Sequence, residues 1–187
     1  MQMLKMKNIH HNFDLTLETD RKENDGHTFC KIILKIDRQS LGNPDEWSVA
    51  GLVADGIADM VSRLNSQSLL SEESLAFLAD KDKEDLFRCF YEWQWGSGGF
   101  CYQGECDLST GKPEIYFALP IGAEIFDGEF LFAIRISENL GRFIWRDFGS
   151  KEIYEYFMDF GVYLERWCTT QTKLEATMKA EAPVLKH

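Results

Sequence analysis

Regular patterning begins at FDLTLETD, residues 13–20, where Phe13, Leu15 and Leu17 alternate with polar residues at the period of a half-buried strand. FCKIILKID, residues 29–37, follows after the polar, glycine-containing RKENDGH, and the two runs predict an antiparallel pair. From residue 43 the period changes. In NPDEWSVAGLVADGIADMVSRLN, Asn43 is placed to cap a helix, Pro44 suits its first turn, and Glu46 stands where its carboxylate can reach back to the cap. Val49, Leu52, Val53, Ile57, Met60, Val61 and Leu64 then recur at helical spacing and predict one apolar stripe. Gly51 and Gly56 each weaken that helix by about 1 kcal/mol relative to alanine, and close packing on a sheet is the expected reason for their presence.

SEESLAFLAD offers Ser71 as a cap with Glu72 and Glu73 in the first turn, where carboxylates favour the positive end of the helix dipole. DKDKEDLFRCFYEWQW presents Leu86, Phe87, Phe90, Tyr91 and Trp93 as the buried side of a further helix with a charged outer side. GSGG at 96–99 breaks the periodicity and predicts a loop. FCYQGECDL and PEIYFALP read as extended segments around the turn residues STGKP. AEIFDGEFLFAIRIS carries Asp127-Gly128 between apolar runs, which predicts a tight hairpin, and ENLG at 138–141 supplies the next turn.

The stretch RFIWRDFGSKEIYEYFMDFG, residues 142–161, can be drawn as the front of a long helix or as two strands. A helix would start directly after a glycine turn and hold Gly149-Ser150 in its middle. As strands, Phe143 and Trp145 share one face, FGSK makes the turn, and Tyr154, Tyr156 and Met158 alternate on the return. The strand reading is the consistent one. Asp159 then caps a closing helix whose apolar side is Val162, Leu164, Trp167, Cys168, Leu174 and Met178. The sum is a single α+β domain over 1–187: a mostly antiparallel sheet with a C-terminal meander, helices packed largely on one face, and flexible ends at 1–11 and 181–187.

Charge narrows the partners. The chain of 187 residues has a net charge of −11, which argues against direct binding to nucleic acid or to an anionic membrane and suits a basic protein partner. No segment reaches the run of about 18 apolar residues that crosses a bilayer, and the N-terminal MQMLKMKNIHHNFDL lacks a signal-peptide apolar run, so a cytoplasmic location is expected. The odd set Cys30, Cys89, Cys101, Cys106 and Cys168 suits a reducing compartment, most of them as buried thiols. Cys101 and Cys106, even with His27 and Cys30 added, do not form a recurrent zinc spacing, so neither metal nor cofactor is expected.

The catalytic motifs are missing. There is no phosphate-cradling glycine loop, no GxSxG elbow and no HExxH, and only His27 lies near a predicted element, so a non-enzymatic role is expected. Two features remain. Glu72, Glu73, Asp80, Asp82, Glu84, Asp85 and Glu92 cluster along one part of the chain, either as a solvated helix face or as an acidic docking surface. YEWQWGSGGFCY gathers Trp93, Trp95, Phe100 and Tyr102 around a loop, and aromatic residues beside acidic ones are a composition typical of protein-binding hot spots. The candidate contact set is therefore the seven acidic residues with Trp95 and Tyr102. The competing reading is a small-molecule site or small enzyme built from carboxylates and aromatics near residues 93–106.

GRFIWRDFGSKEIYEYFMDFGVYLERWC resembles the C-terminal signature of the immunity protein 42 family of bacterial polymorphic-toxin systems. The residues that carry the resemblance are Ile144-Trp145-Arg146, the strand Glu152 to Met158, and Trp167-Cys168, with LADKDKEDLFRCFYEW, IFDGEFLFAIRI and the early strand pair fitting upstream. The resemblance implies a cytoplasmic, non-enzymatic protein that binds and blocks a cognate toxin domain, and the acidic surface would suit a basic toxin such as a nuclease. It carries over no contact residues. Trp145 and Arg146 fit either contact residues or sheet core with a supporting ion pair.

Overall fold

The computed structural model describes residues 13–21, 27–95 and 116–181. Among these, two antiparallel sheets and four α-helices form an α+β architecture, the class predicted by the patterning. The chain divides into two compact units. One draws on Asn12–Val61, Leu119–Asp127 and Leu164–His187, the other on Ser62–Ala118 and Gly128–Tyr163.

The first unit is organised on β2 (Thr28–Ile36), which pairs with β1 (Phe13–Arg21), β3 (Gln39–Leu41) and β4 (Ser48–Val49). The register runs from Phe13 opposite Ile36 to Arg21 opposite Thr28. Cys30, Ile32, Leu34 and Ile36 are fully buried on one face of β2, as alternation requires. Asp37, at φ 53°, makes the tight turn into β3, a strand too short for its pattern to be read in advance.

The helix expected from Asn43 begins later. Asn43 Oδ1 accepts from the Asp45 N–H at 3.0 Å, the Glu46 N–H returns to the Asn43 carbonyl at 3.2 Å, and Ser48–Val49 pair with Phe29 and Cys30 of β2. The ladder to β2 takes the backbone that a helix would have used, so α1 runs Ala50–Asn65. Its buried stripe is Ala50, Val53, Ala54, Ile57, Met60 and Leu64, while Leu52 is 59% exposed and Val49 belongs to β4. Gly56 does not meet a sheet: a Cβ there would lie 2.6 Å from the carbonyl oxygen of Ile121, and one at Gly51 would touch nothing.

No tight hairpin forms at Asp127-Gly128. Glu124–Phe126 close a 3-10 turn, Ile125 gives its N–H to Ser48 Oγ at 3.3 Å, and Ile125 and Phe126 are buried. The burial of those two side chains wins over the hairpin. Phe126 packs edge-on against Trp167 of α4 (Phe160–Glu181), with ring centres 6.1 Å apart.

The second unit carries the meander: β5 (Phe130–Arg135), β6 (Leu140–Arg146) and β7 (Ile153–Asp159), paired Phe130 opposite Arg146 and Arg146 opposite Ile153. The strand reading of 142–161 is therefore realised. Asp147 organises the turn, accepting from the Ser150 N–H on its carboxylate and from the Lys151 N–H on its carbonyl. The PEIYFALP segment is not a strand where it is described; Phe117 forms a single bridge to Phe132. Ser71 caps α2 (Glu72–Asp80) as expected, with its Oγ 3.2 Å from the Ser74 N–H, and Asp82 caps α3 (Lys83–Trp95) through the Asp85 N–H at 2.8 Å.

Leu78, Leu86, Phe87 and Phe90 of these two helices pack on Phe132, Ile134 and Ile144, one face of the meander. The other face is buried as well, with Phe143 against Phe160 and Tyr163. Asp159 caps α4 through the Val162 N–H at 2.9 Å. The stripe of α4 is Phe160, Tyr163, Leu164, Trp167 and Leu174; the expected members Val162 and Cys168 are exposed. Helical spacing from Phe160 admits Tyr163 and Thr170 and turns Val162 and Cys168 outward. The expected flexible ends fall outside the described residues, apart from Glu181, which closes α4.

Candidate functional site

The acidic cluster lies on α2, α3 and their junction. Glu72, Glu73, Asp80, Asp82 and Glu84 are exposed, and Asp85 and Glu92 are half-buried. Tyr102, the side chains of Trp93 and Trp95, and the pair Cys101 and Cys106 lie outside the described residues, as does most of the 93–106 segment of the alternative reading. Asp82 has a structural duty as the α3 cap, and Asp85 pairs with Arg88 at 2.5 Å. Lys83 turns away from the acidic groups in part, donating to the carbonyl of Ile153 at 2.5 Å while its ammonium stands 3.5 Å from Glu84. Exposed pairs of this kind add little stability, so the acidic surface is not explained as a scaffold of ion pairs.

One arginine, not picked out by the sequence reading, positions this surface. Arg142 of β6 is 5% exposed; its Nε donates to Glu155 at 2.7 Å, Nη1 donates to the carbonyl of Leu78, and Nη2 donates to that of Lys81 at 3.0 Å. It satisfies carbonyls at the end of α2 that the helix leaves open, and so fixes the α2–α3 junction carrying Asp80 and Asp82 onto the sheet. Gln67 does the same for the segment before α2, donating to Ala133 at 2.9 Å and accepting from the Arg135 N–H at 3.0 Å. No motif marks either residue; only the fold brings their partners together.

Trp145 and Arg146, adjacent on β6, face opposite sides of the sheet. Trp145 is buried, stacks on Tyr154 at 4.8 Å and donates its Nε1–H to Glu129 at 2.6 Å, so it belongs to the core. Burial pushes the Glu129 carboxyl above its ordinary range, aided by Asp147 and opposed by the Trp145 and Phe148 N–H groups and Lys151. Asp147 goes the other way: burial raises it, but the donors of Ser150 and Gly149, with Lys151, bring it below its ordinary value. Among the described residues Arg146 has no ion-pair partner; it stacks over Phe87, Tyr91 and Phe130.

Among the described residues no group of three His, Cys, Asp or Glu side chains is placed to hold a metal, and no helix is long and apolar enough to cross a membrane. Comparison with protein-family models, curated proteins and solved structures finds no match to this chain.

Proposed function

We propose that this chain is a binding protein that engages a basic protein partner through the acidic α2–α3 surface, and that the partner is a bacterial toxin domain which it blocks. The observation that carries the reading is the exposure of Glu72, Glu73, Asp80 and Glu84 on two helices whose junction is hydrogen-bonded to Arg142, with the interspersed Lys83 shared between the Ile153 carbonyl and Glu84. In a chain of net charge −11, such a surface raises the encounter rate with a cationic partner. The toxin assignment is supported by the resemblance around Ile144-Trp145-Arg146 and needs no chemistry from the chain. An interface of about 1,600 Å² with a few desolvated anchors is sufficient for tight inhibition.

The test is co-expression with the product of the gene immediately upstream, scored by co-purification and by rescue of growth. Glu84→Lys should then slow association at low salt by roughly ten-fold and lose this effect at high salt. Rescue without any salt-dependent association would remove the acidic surface from the mechanism, and failure to bind or rescue would remove the toxin reading.

A further inference from the structure

Arg146 ends β6, and its guanidinium carbon lies 4.6 Å from the Phe130 ring centre, 5.0 Å from Phe87 and 5.2 Å from Tyr91. Ring faces attract a guanidinium and hold it flat, but they satisfy none of its in-plane N–H donors. The Nε of Arg146 is buried without a hydrogen-bond partner, and among the described residues no carboxylate pairs with the side chain. The residue is half-buried, and among the described residues neither Nη has a hydrogen-bond acceptor.

Arg142 provides the comparison. It lies on the same strand and, by alternation, the same face, and all three of its nitrogens have protein acceptors. Arg146 is positioned by rings, yet among the described residues its donors have no acceptor. The carboxylates near it in sequence are engaged elsewhere: Asp147 with the Ser150 N–H, Glu152 with the Tyr154 hydroxyl, and Glu129 with Trp145 on the opposite face. At this end of the sheet Lys83 rests its ammonium on the carbonyl of Ile153, the residue registered opposite Arg146, and is itself paired with Glu84 at 3.5 Å.

We propose that Arg146 is a binding site for a single carboxylate group, received end-on by Nη1 and Nη2. Two parallel donors match the two oxygens of a carboxylate. A polyanion such as a phosphate ester would meet the repulsion of a chain with net charge −11, which favours the monovalent ligand. The carboxylate belongs either to a small organic acid or to an acidic side chain of a protein. The site is independent of the acidic surface and is tested on the isolated chain, so either proposal can fail alone.

The experiment follows the Arg146 Nε–H resonance of the ¹⁵N-labelled chain, assigned by its loss in Arg146→Lys, during titration with benzoate, with inorganic phosphate, and with a glutamyl peptide blocked at both ends. A saturable shift with a carboxylate probe is expected, accompanied by backbone shifts that weaken roughly ten-fold in Arg146→Lys, which keeps the charge but not the fork. A stronger response to benzoate assigns a small organic acid as the source, and a stronger response to the peptide assigns a protein side chain; both support the site. If Arg146→Lys does not fold, Phe130→Leu keeps the arginine, removes one ring, and should weaken the same titration several-fold. No saturable shift with either carboxylate in the folded chain, or tighter binding of phosphate, would overturn the proposal.

Discussion

Arg142 and Glu155 form an ion pair whose side chains retain only 6% and 11% exposure, and the same guanidinium holds the carbonyls of Leu78 and Lys81. Removing the carboxylate leaves a buried charge without its counterion. Glu155→Ala is therefore expected to cost about 3–5 kcal/mol, read by urea denaturation. Glu155→Gln keeps an oxygen for Nε and should cost clearly less. A loss below about 1 kcal/mol in the alanine variant would mean that the α2–α3 junction does not depend on this pair.

Glu129 and Asp147 give opposite pH responses. Glu129 is held above its ordinary value of 4.5, so the folded state binds its proton more tightly, and stability falls as pH rises from there through the raised value. Glu129→Gln keeps an acceptor for Trp145 and should raise Tm at about pH 7 while converging on the unsubstituted chain near pH 4. Asp147 is held below its ordinary 3.8, so its contribution is complete above that value and is lost as pH falls through the lower one. Asp147→Asn should lower Tm at neutral pH, with the difference shrinking below about pH 3. Parallel Tm-against-pH curves for either variant would contradict its assignment.

The two glycines of α1 should separate. Gly51→Ala meets open space and should stabilise by about 0.5–1 kcal/mol. Gly56→Ala would press its methyl against the Ile121 carbonyl, and the repulsion should outweigh the helix gain and leave the variant about 1–3 kcal/mol less stable. Equal and opposite results in thermal unfolding, with Gly56→Ala the stabler, would show that the Pro120–Ile121 segment yields freely.

What the sequence made legible was local. The alternation of β1, β2, β6 and β7, the Ser71 and Asp159 caps and the core side of α3 all follow from periods and side-chain chemistry within a few residues. The failures have non-local causes: Ser48–Val49 are drawn into a ladder with β2, Ile125 and Phe126 are buried in place of a hairpin, and Leu52 is left in solvent. The acidic surface could be listed in advance. Its anchor could not, because Arg142 and the Leu78 and Lys81 carbonyls are distant in sequence and meet only once α2 lies on the meander.

The cysteines offer a further check. Burial pushes the Cys30 thiol up to about 12, and Cys89 is also buried, whereas Cys168 is exposed on α4. In a Cys101→Ser, Cys106→Ser background, native protein should release about one equivalent of thiol to a disulfide reagent quickly and the rest only on unfolding. Rapid reaction of Cys30 would show that the first sheet opens readily.

Both margins of the meander are blunted. Along β5 the Ala118 N–H takes the Leu131 carbonyl and Phe117 bridges Phe132, and along β7 the Lys83 ammonium occupies the Ile153 carbonyl. Outermost strands with idle backbone groups recruit other chains, and a charged side chain lodged on one such acceptor is an obstacle to that recruitment. Stripped of that obstacle, the Lys83→Met protein in concentrated solution should form thioflavin-positive aggregates before the unsubstituted chain does.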